Sequence, residues 1–264
     1  MGRLKEKFEE LKRKGEKALV SYLMVGYPDY ETSIKAVETV LSEGADILEL
    51  GFPFSDPVAD GPTIQLAHEV ALKNGIRSEQ VFEASRKIKE SFSQIPILLM
   101  TYYNPIFRIG HEDFCRRAVE NGVDGFIVPD LPPEECSSLK EVMAKHELSL
   151  VLLASPTSPE RRLNLICEET DDMVYFVSLT GTTGARKELP IEELRKNIER
   201  YRSICNKPVV VGFGVSTGEH SRRISEFADG VVVGSLLVKL TAEKNFVELS
   251  RKVRELKEGT IIKK

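Results

Sequence analysis

Three carboxylates lie close together in one stretch of the chain, residues 48–65. Glu49 lies in the apolar run 47–51, where the period-two alternation of a strand places it on the opposite face from its two leucine neighbours. Burial disfavours the charged form of a carboxyl group and raises its pKa, which suits proton exchange near neutral pH. Asp56 and Asp60 follow in a loop that contains prolines. We therefore predict proton transfer at Glu49 with Asp60 beside it, and a surface turn or partner contact at Asp56.

Glu49 and Asp60 each have a purely structural alternative. A buried carboxylate can be tied to a Lys or Arg inside the fold, but the neighbouring predicted strands, 18–25 and 97–102, contain no basic residue. We therefore favour a functional role for Glu49. Asp60 precedes Gly61-Pro62, which is ordinary turn chemistry, so its functional role depends on having Glu49 beside it.

Glycine-rich turns form a second group of candidate residues. They are Gly181-Thr182-Thr183-Gly184, Gly212-Phe213-Gly214-Val215-Ser216 and Gly234-Ser235, and each precedes a predicted helix. Glycine lets backbone amides approach an anion, and a helix amino terminus supplies unpaired N–H groups and positive partial charge. We predict a phosphate monoester site here; the alternative is that glycine only serves tight strand-to-helix turns. A dinucleotide fingerprint is not favoured, because a third glycine or alanine and an acid at the end of the next strand are both missing.

The elements that must position these residues follow a repeated strand–helix pattern. The predicted strands are 18–25, 47–51, 97–102, 125–128, 148–153, 173–178, 208–212 and 230–233. The predicted helices are 30–43, 63–74, 78–91, 112–121, 132–145, 159–168, 190–204, 216–226, 235–240 and 243–256. Eight such units without a linker or a composition break favour a closed parallel barrel over an open sheet. We predict an α/β fold, a single (β/α)8 TIM-barrel domain over 1–264, with an amphipathic helix in 1–16 added before the barrel at 17–264.

The mouth of such a barrel is where we expect the chemistry. In this fold the active site gathers at the carboxyl ends of the strands, and a phosphate site is commonly built after strands seven and eight. The residues predicted at the mouth are two acids among aromatic and aliphatic side chains: Tyr22, Glu49, Asp60, Met100, Tyr102 and Tyr175. Such a pocket suits an uncharged aromatic ring and offers proton donors and acceptors. For Tyr102 and Tyr175 the alternative is a packing role with the hydroxyl in water.

Composition and motifs argue against several other classes of protein. Hydrophobic residues make up 41% and charged residues 30%, and the net charge of −4 gives no bulk electrostatic case for nucleic acid or an anionic membrane as partner. We find no secretory signal and no apolar stretch of membrane-spanning length. Widely spaced cysteines favour reduced thiols and a cytoplasmic location. The four histidines have no metal-ligand spacing, so we predict no metal site and interpret them as surface or packing residues: His68, His111, His146 and His220.

The sequence resembles the tryptophan synthase α subunit family over essentially its whole length. The stretch 48–65, Leu-Glu-Leu-Gly-Phe-Pro-Phe-Ser-Asp-Pro-Val-Ala-Asp-Gly-Pro-Thr-Ile-Gln, is close to a long and specific signature of that family. Further motifs agree in order: Tyr102-Tyr103-Asn104-Pro105, Pro129-Asp130-Leu131-Pro132, Gly181-Thr182-Thr183-Gly184-Ala185-Arg186, Gly212-Phe213-Gly214 and Gly234-Ser235. The sequence departs from many relatives at Phe52 and at Leu179-Thr180, which affects the expected pocket shape and loop closure and not the two acids.

The resemblance implies cleavage of indole-3-glycerol phosphate to indole and glyceraldehyde 3-phosphate, a retro-aldol reaction without a metal or organic cofactor. It implies that Glu49 is the general acid–base, that Asp60 meets the indole N–H and that Tyr175 assists. It also implies that Thr183 links the loop after strand six to Asp60. The implied ring-pocket walls are Tyr22, Met100 and Tyr102, and the implied phosphate ligands are the backbone N–H groups of Gly184, Phe213, Gly214, Gly234 and Ser235.

The resemblance also implies a partner, a pyridoxal-phosphate-dependent β subunit that receives the indole in an α2β2 complex. Two alternatives remain open from the sequence. The chain could be a lyase that acts alone and releases indole, or a phosphate-binding barrel that mainly regulates a partner. The presence of both acids favours the lyase, since a pure binding module would not need them.

Overall fold

Eight parallel strands close into a barrel in chain order, each strand pairing with the next and β8 pairing with β1. The structure is a computed structural model that describes residues 2–177, 190–212 and 214–262. The strands are β1 Ala18–Met24, β2 Ile47–Gly51, β3 Ile97–Met100, β4 Gly125–Ile127, β5 Ser149–Ala154, β6 Val174–Val177, β7 Val209–Gly212 and β8 Gly230–Val233. The predicted (β/α)8 barrel is therefore confirmed.

Helices alternate with the strands and cover the outside of the barrel. They are α1 Arg3–Lys14, α2 Tyr30–Ser42, α3 Pro62–Lys73, α4 Ser78–Ser91, α5 Tyr103–Ile109, α6 His111–Glu120, α7 Ser137–Lys145, α8 Glu160–Glu169, α9 Ile191–Arg202, α10 Gly218–Ser225, α11 Ser235–Ala242 and α12 Phe246–Gly259. Their buried apolar faces and the outward-facing strand residues form one continuous core cluster. None of the described helices is long and apolar enough to cross a membrane.

Several element ends differ from those predicted. Strand β3 ends at Met100 and not at residue 102, and Tyr103–Ile109 is a helix where a loop was expected. Pro105 falls in the first turn of that helix, where a missing N–H costs little. Helix α10 begins at Gly218 and not at residue 216, because the Thr217 side chain accepts a hydrogen bond from the His220 N–H. The predicted end of strand six at residue 178 and the loop 179–189 lie outside the described residues.

Helix α1 closes the amino-terminal end of the barrel. Its buried residues Leu4, Phe8 and Leu11 belong to the same cluster as the inward-facing strand side chains. Those side chains are Ala18, Val20, Ile47, Leu98, Ile127, Val151, Val210 and Val232, and Met173 just before β6 joins them. Arg3 anchors the helix by donating from Nη1 to the backbone oxygen of Ser93, 2.7 Å away and just before β3. The apolar interior is therefore sealed at one end, and the site must open at the other.

The expectation that all four cysteines are reduced is wrong. Cys167, in α8, and Cys205, just after α9, are joined by a disulfide with 5.8 Å between their Cα atoms. Cys115 and Cys136 are free and buried. The two cysteines of the pair are 38 residues apart in sequence, and neighbouring helices on the barrel exterior bring them together. Sequence spacing carries no signal for such a contact, because it depends on how helices pack around the closed barrel.

Candidate active site

Glu49 is buried inside the barrel, with 1% of its surface exposed. It lies in the middle of β2, opposite Tyr22 on β1 and Leu98 on β3. Its Oε2 atom has no hydrogen-bond partner among the described residues, and it forms no ion pair with them. Burial, together with the nearby charge of Asp60, raises the pKa of Glu49 to about 8. The structural alternative of a carboxylate tied to a Lys or Arg therefore finds no support in the described part of the chain.

Asp60 lies in the loop between β2 and α3, and its side chain is 8% exposed. Its Oδ2 atom accepts a hydrogen bond of 2.7 Å from the Tyr102 hydroxyl, which in turn accepts one of 3.0 Å from the Ala59 N–H. A pure packing role would leave the Tyr102 hydroxyl in water. These two hydrogen bonds therefore argue against that role. Burial and the charge of Asp60 hold the pKa of Tyr102 well above its usual value, so this hydroxyl remains a donor.

His68 is the residue that the sequence interpretation undervalued. It is buried and lies 3.2 Å from Asp60, measured from Nε2 to Oδ2. Its other ring nitrogen, Nδ1, accepts a hydrogen bond from the Phe54 N–H. A signal was available, because helical periodicity from Pro62 places residues 64, 67, 68 and 71 on one face, and that face is the buried one. A polar side chain on such a face next to the acidic loop was a candidate for contact with Asp60.

Tyr22 and Tyr175 lie inside the mouth, each beside a glycine. A Cβ atom at Gly51 would lie 2.5 Å from the Tyr22 hydroxyl, and one at Gly212 would lie 2.3 Å from the Tyr175 hydroxyl. Glycine at these strand ends makes room for the two rings. Burial raises the pKa of both tyrosines well above the usual value, with Glu49 and Asp60 contributing through their charge. The Tyr22 hydroxyl has no partner among the described residues, so it is free to meet a ligand.

Met100 completes the apolar part of the mouth at the end of β3. It is partly buried, pairs with Gly51 on one side and Ile127 on the other, and packs against the inner cluster. Met100 was predicted as a wall of a ring pocket, and it lies at the last position of β3. Tyr22 and Leu98 flank Glu49 on the neighbouring strands, and burial is the main cause of its raised pKa.

The candidate phosphate turns after β7 and β8 lie side by side, since these strands are neighbours in the barrel. Gly214 has φ +80°, a conformation that favours glycine. Gly234 precedes α11, and no side chain caps that helix, so its first N–H groups are available to a ligand. The amino terminus of α10 is instead capped by Thr217. Thr183, Gly184 and Phe213, also predicted at this site, lie outside the described residues.

The arrangement combines a buried acid that is protonated at neutral pH, a second carboxylate in contact with Tyr102 and His68, and a helix amino terminus without a side-chain cap after β8. A buried carboxylic acid of this kind can donate a proton and then take one back. Two polar atoms that face the interior, Glu49 Oε2 and Tyr22 Oη, lack a described partner. Buried polar groups of folded proteins are normally paired, so these two are suited to a substrate.

Comparison with known proteins identifies the family. The family model described as tryptophan synthase alpha chain matches residues 8–261. The tryptophan synthase alpha chain of Aquifex aeolicus is 67% identical over 259 residues, which cover 98% of this chain and 99% of that protein. The one from Methanocaldococcus jannaschii is 47% identical over 246 residues, covering 93% and 86%.

A solved structure agrees with the sequence relatives. The crystal structure of tryptophan synthase subunit alpha from Legionella pneumophila superposes with a TM-score of 0.91 at 34% identity, covering 98% of both chains. Sequence and fold therefore lead to the same assignment. This chain belongs to the tryptophan synthase alpha chain family.

Proposed function

We propose that the chain cleaves indole-3-glycerol phosphate to indole and glyceraldehyde 3-phosphate, the lyase reaction of its family, through Glu49 and Asp60. The observation that carries the proposal is Glu49 itself. It is a buried carboxyl group with an unpaired oxygen and a pKa raised to about 8, and the charge of Asp60 contributes to that rise. A group with these properties is protonated at neutral pH and is ready to act as an acid.

In the first step Glu49 donates its proton to C3 of the indole ring. Protonation at C3 places positive charge on the ring nitrogen, whose N–H then donates to the carboxylate of Asp60. Preorganised electrostatic stabilisation of charge that develops in the transition state is commonly the largest contribution to catalysis. The hydrogen bond from the Tyr102 hydroxyl holds the Asp60 side chain for this task.

In the second step the Glu49 carboxylate takes the proton of the hydroxyl on the carbon bonded to C3. The electrons of that O–H bond form the aldehyde carbonyl, and the bond between C3 and the glycerol carbon breaks. Its electron pair returns to the ring, which neutralises the nitrogen and gives indole. Glu49 ends protonated, as it began, so one residue serves as acid and then as base.

The remaining predicted residues bind and orient the substrate. We assign the phosphate to the backbone N–H groups of Gly214, Gly234 and Ser235, with Gly184 and Phe213 expected to contribute. The open amino terminus of α11 supports this assignment. Tyr22, Met100 and Tyr102 form the ring pocket, and Tyr175 assists near the reacting side chain. Thr183 is expected to link its loop to Asp60 when substrate is bound.

We further propose that the chain acts in an α2β2 complex with a pyridoxal-phosphate-dependent tryptophan synthase β subunit. Family membership supports this partner. Two exposed apolar side chains that follow neighbouring strands suit a docking partner: Val58, 81% exposed in the loop after β2, and Phe107, 67% exposed in helix α5 after β3. Asp56, in the loop after β2, is the predicted contact.

We propose a cytoplasmic location and a single domain over 1–264 on the same family ground. The cysteine argument for a reducing compartment no longer contributes, because Cys167 and Cys205 are joined. The location therefore rests on the biosynthetic role of the family.

The test is to incubate the purified chain with indole-3-glycerol phosphate and follow indole, with and without a β partner. We expect indole in at least one of the two reactions, and a Glu49→Gln variant should be at least ~100-fold slower while remaining folded. Full activity without the partner would favour a lyase that acts alone. No indole in either reaction would refute the proposal and leave a regulatory phosphate-binding barrel.

A further inference from the structure

His68 lies where it can control the position of Asp60. It is in the second turn of α3, on the face that also buries Ile64, Ala67 and Ala71. Only 3% of its side chain is exposed, and its ring packs edge-on against Tyr102 with 6.1 Å between ring centroids. A buried imidazole in this place contacts the acidic loop from the helix side, while Tyr102 contacts it from the barrel side.

The hydrogen bonds of His68 assign its tautomer. The backbone N–H of Phe54 donates to Nδ1 over 3.0 Å, so Nδ1 is an acceptor and carries no proton. In a neutral imidazole the proton then lies on the other nitrogen. That nitrogen, Nε2, is 3.2 Å from Asp60 Oδ2 and therefore donates to the carboxylate. The His68 ring therefore links Phe54, near the start of the loop after β2, to Asp60, near the end of that loop.

Both donors to Asp60 use the same oxygen. The Tyr102 hydroxyl and His68 Nε2 each contact Oδ2. Within the described residues no side chain donates to Oδ1. A carboxylate with one oxygen held by two donors has a fixed orientation, and its second oxygen remains available to a ligand.

We propose that His68 is a positioning residue that fixes Asp60 with Oδ1 free for the ring N–H of the substrate. This inference rests on the proposed function, since it gives Asp60 its role there. Tyr102 and His68 thus hold the Asp60 side chain from two sides of the loop after β2.

The competing explanation is that His68 merely fills space beneath the loop. An apolar ring of similar size would then serve as well, since the edge-on contact with Tyr102 needs no polar atom. Three substitutions separate the two explanations. His68→Phe keeps a ring without polar atoms, His68→Gln places an amide donor near the position of Nε2, and His68→Asn places an acceptor near Nδ1 without reaching Asp60.

The experiment measures kcat and KM for cleavage of indole-3-glycerol phosphate by the wild type and the three variants, with the β partner present, after thermal melts confirm folding. We expect kcat to fall about tenfold or more in the Phe and Asn variants, because a misplaced catalytic group costs up to about a hundredfold in rate. The Gln variant should retain most of the wild-type kcat. KM should change less than kcat in all three, because the phosphate turns are untouched.

The outcomes separate this inference from the proposed function. If the wild type releases no indole, the proposed function fails. If the wild type is active and His68→Phe matches its kcat, the positioning role of His68 is refuted and the function stands. If His68→Phe does not fold, the comparison of Gln with Asn decides, and equal kcat values refute the role. Nitrogen-15 NMR gives an independent check, since a proton on Nδ1 of His68 in the wild type would also refute it.

Discussion

At the residue scale, Glu49 places a carboxyl group in a buried position where its charged form is unfavourable. Glu49 is buried without an ion pair among the described residues, and its pKa is raised to about 8. The alternation of β2 predicted the burial, since a strand in a barrel must turn alternate side chains inward. The same burial that makes Glu49 a proton donor must reduce stability once the group is ionised, because desolvation disfavours the charged form.

This conflict predicts how stability depends on pH. The folded-state pKa of about 8 exceeds the value of 4.5 for an exposed glutamate, so the folded protein binds more protons than the unfolded chain between those pH values and becomes less stable as pH rises through the window. Glu49→Gln removes this loss. From pH 5 to pH 8, the free energy of unfolding of the variant relative to that of the wild type should rise by about 4 kcal/mol.

Denaturant unfolding at several pH values measures this difference. The exposed Glu38→Gln variant serves as the control and should follow the wild type at every pH. A difference between Glu49→Gln and the wild type that stays constant with pH would contradict the raised pKa.

At the element scale, the pairing of β1 with β2 decides which side chains share the mouth. The register pairs Tyr22 with Glu49 and Met24 with Gly51. The Tyr22 ring crosses towards Gly51, where a Cβ would lie 2.5 Å from its hydroxyl. The pocket therefore depends on Gly51 at the end of β2 as much as on Tyr22 in the neighbouring strand β1.

Gly51→Ala should displace Tyr22, destabilise the protein by about 1–3 kcal/mol and weaken substrate binding, because the crowded ring must move. Tyr22→Phe should restore part of the stability, since it removes the atom that lies nearest to the new methyl group. Gly234→Ala is the matched control for stability, because a Cβ there meets Tyr22 only at an ordinary 3.4 Å. Equal stability of the two alanine variants would show that Tyr22 is not confined as described.

Helix α1 is a second element with a distinct task, because it fills the end of the barrel opposite the mouth. Leu11→Ala should cost about 3 kcal/mol of stability through the cavity it leaves, while kcat stays near that of the wild type. The exposed Lys5→Ala variant on the same helix should change stability by no more than about 0.5 kcal/mol. A kcat that falls together with stability in Leu11→Ala would mean that α1 also shapes the site.

At the scale of the whole molecule, closure of the barrel brings distant segments together. The loop after β2 and the turns after β7 and β8 open on the same rim, although about 150 residues separate them. The same closure places α8 and α9 side by side, and with them Cys167 and Cys205.

The disulfide predicts a stability that depends on redox conditions. Reduction, or Cys205→Ala, should lower the free energy of unfolding by about 2–4 kcal/mol, since the unfolded chain gains freedom when the crosslink is absent. The stability of the Cys205→Ala variant should not respond further to reductant, which makes it the control. Thiol titration of the denatured, unreduced protein should find only the two free cysteines, Cys115 and Cys136. Four reactive thiols would contradict the pairing.

The sequence by itself determined the kind of fold and the position of the acids along the chain. Hydrophobic periodicity and turn residues are local properties, and eight strand–helix units leave a closed barrel as the favoured way to bury them. Only the tertiary structure decided the partners of Asp60 and the disulfide. Tyr102 lies 42 residues from Asp60, and Cys205 lies 38 residues from Cys167. Such contacts depend on the register and closure of the whole barrel, and a local pattern does not encode them.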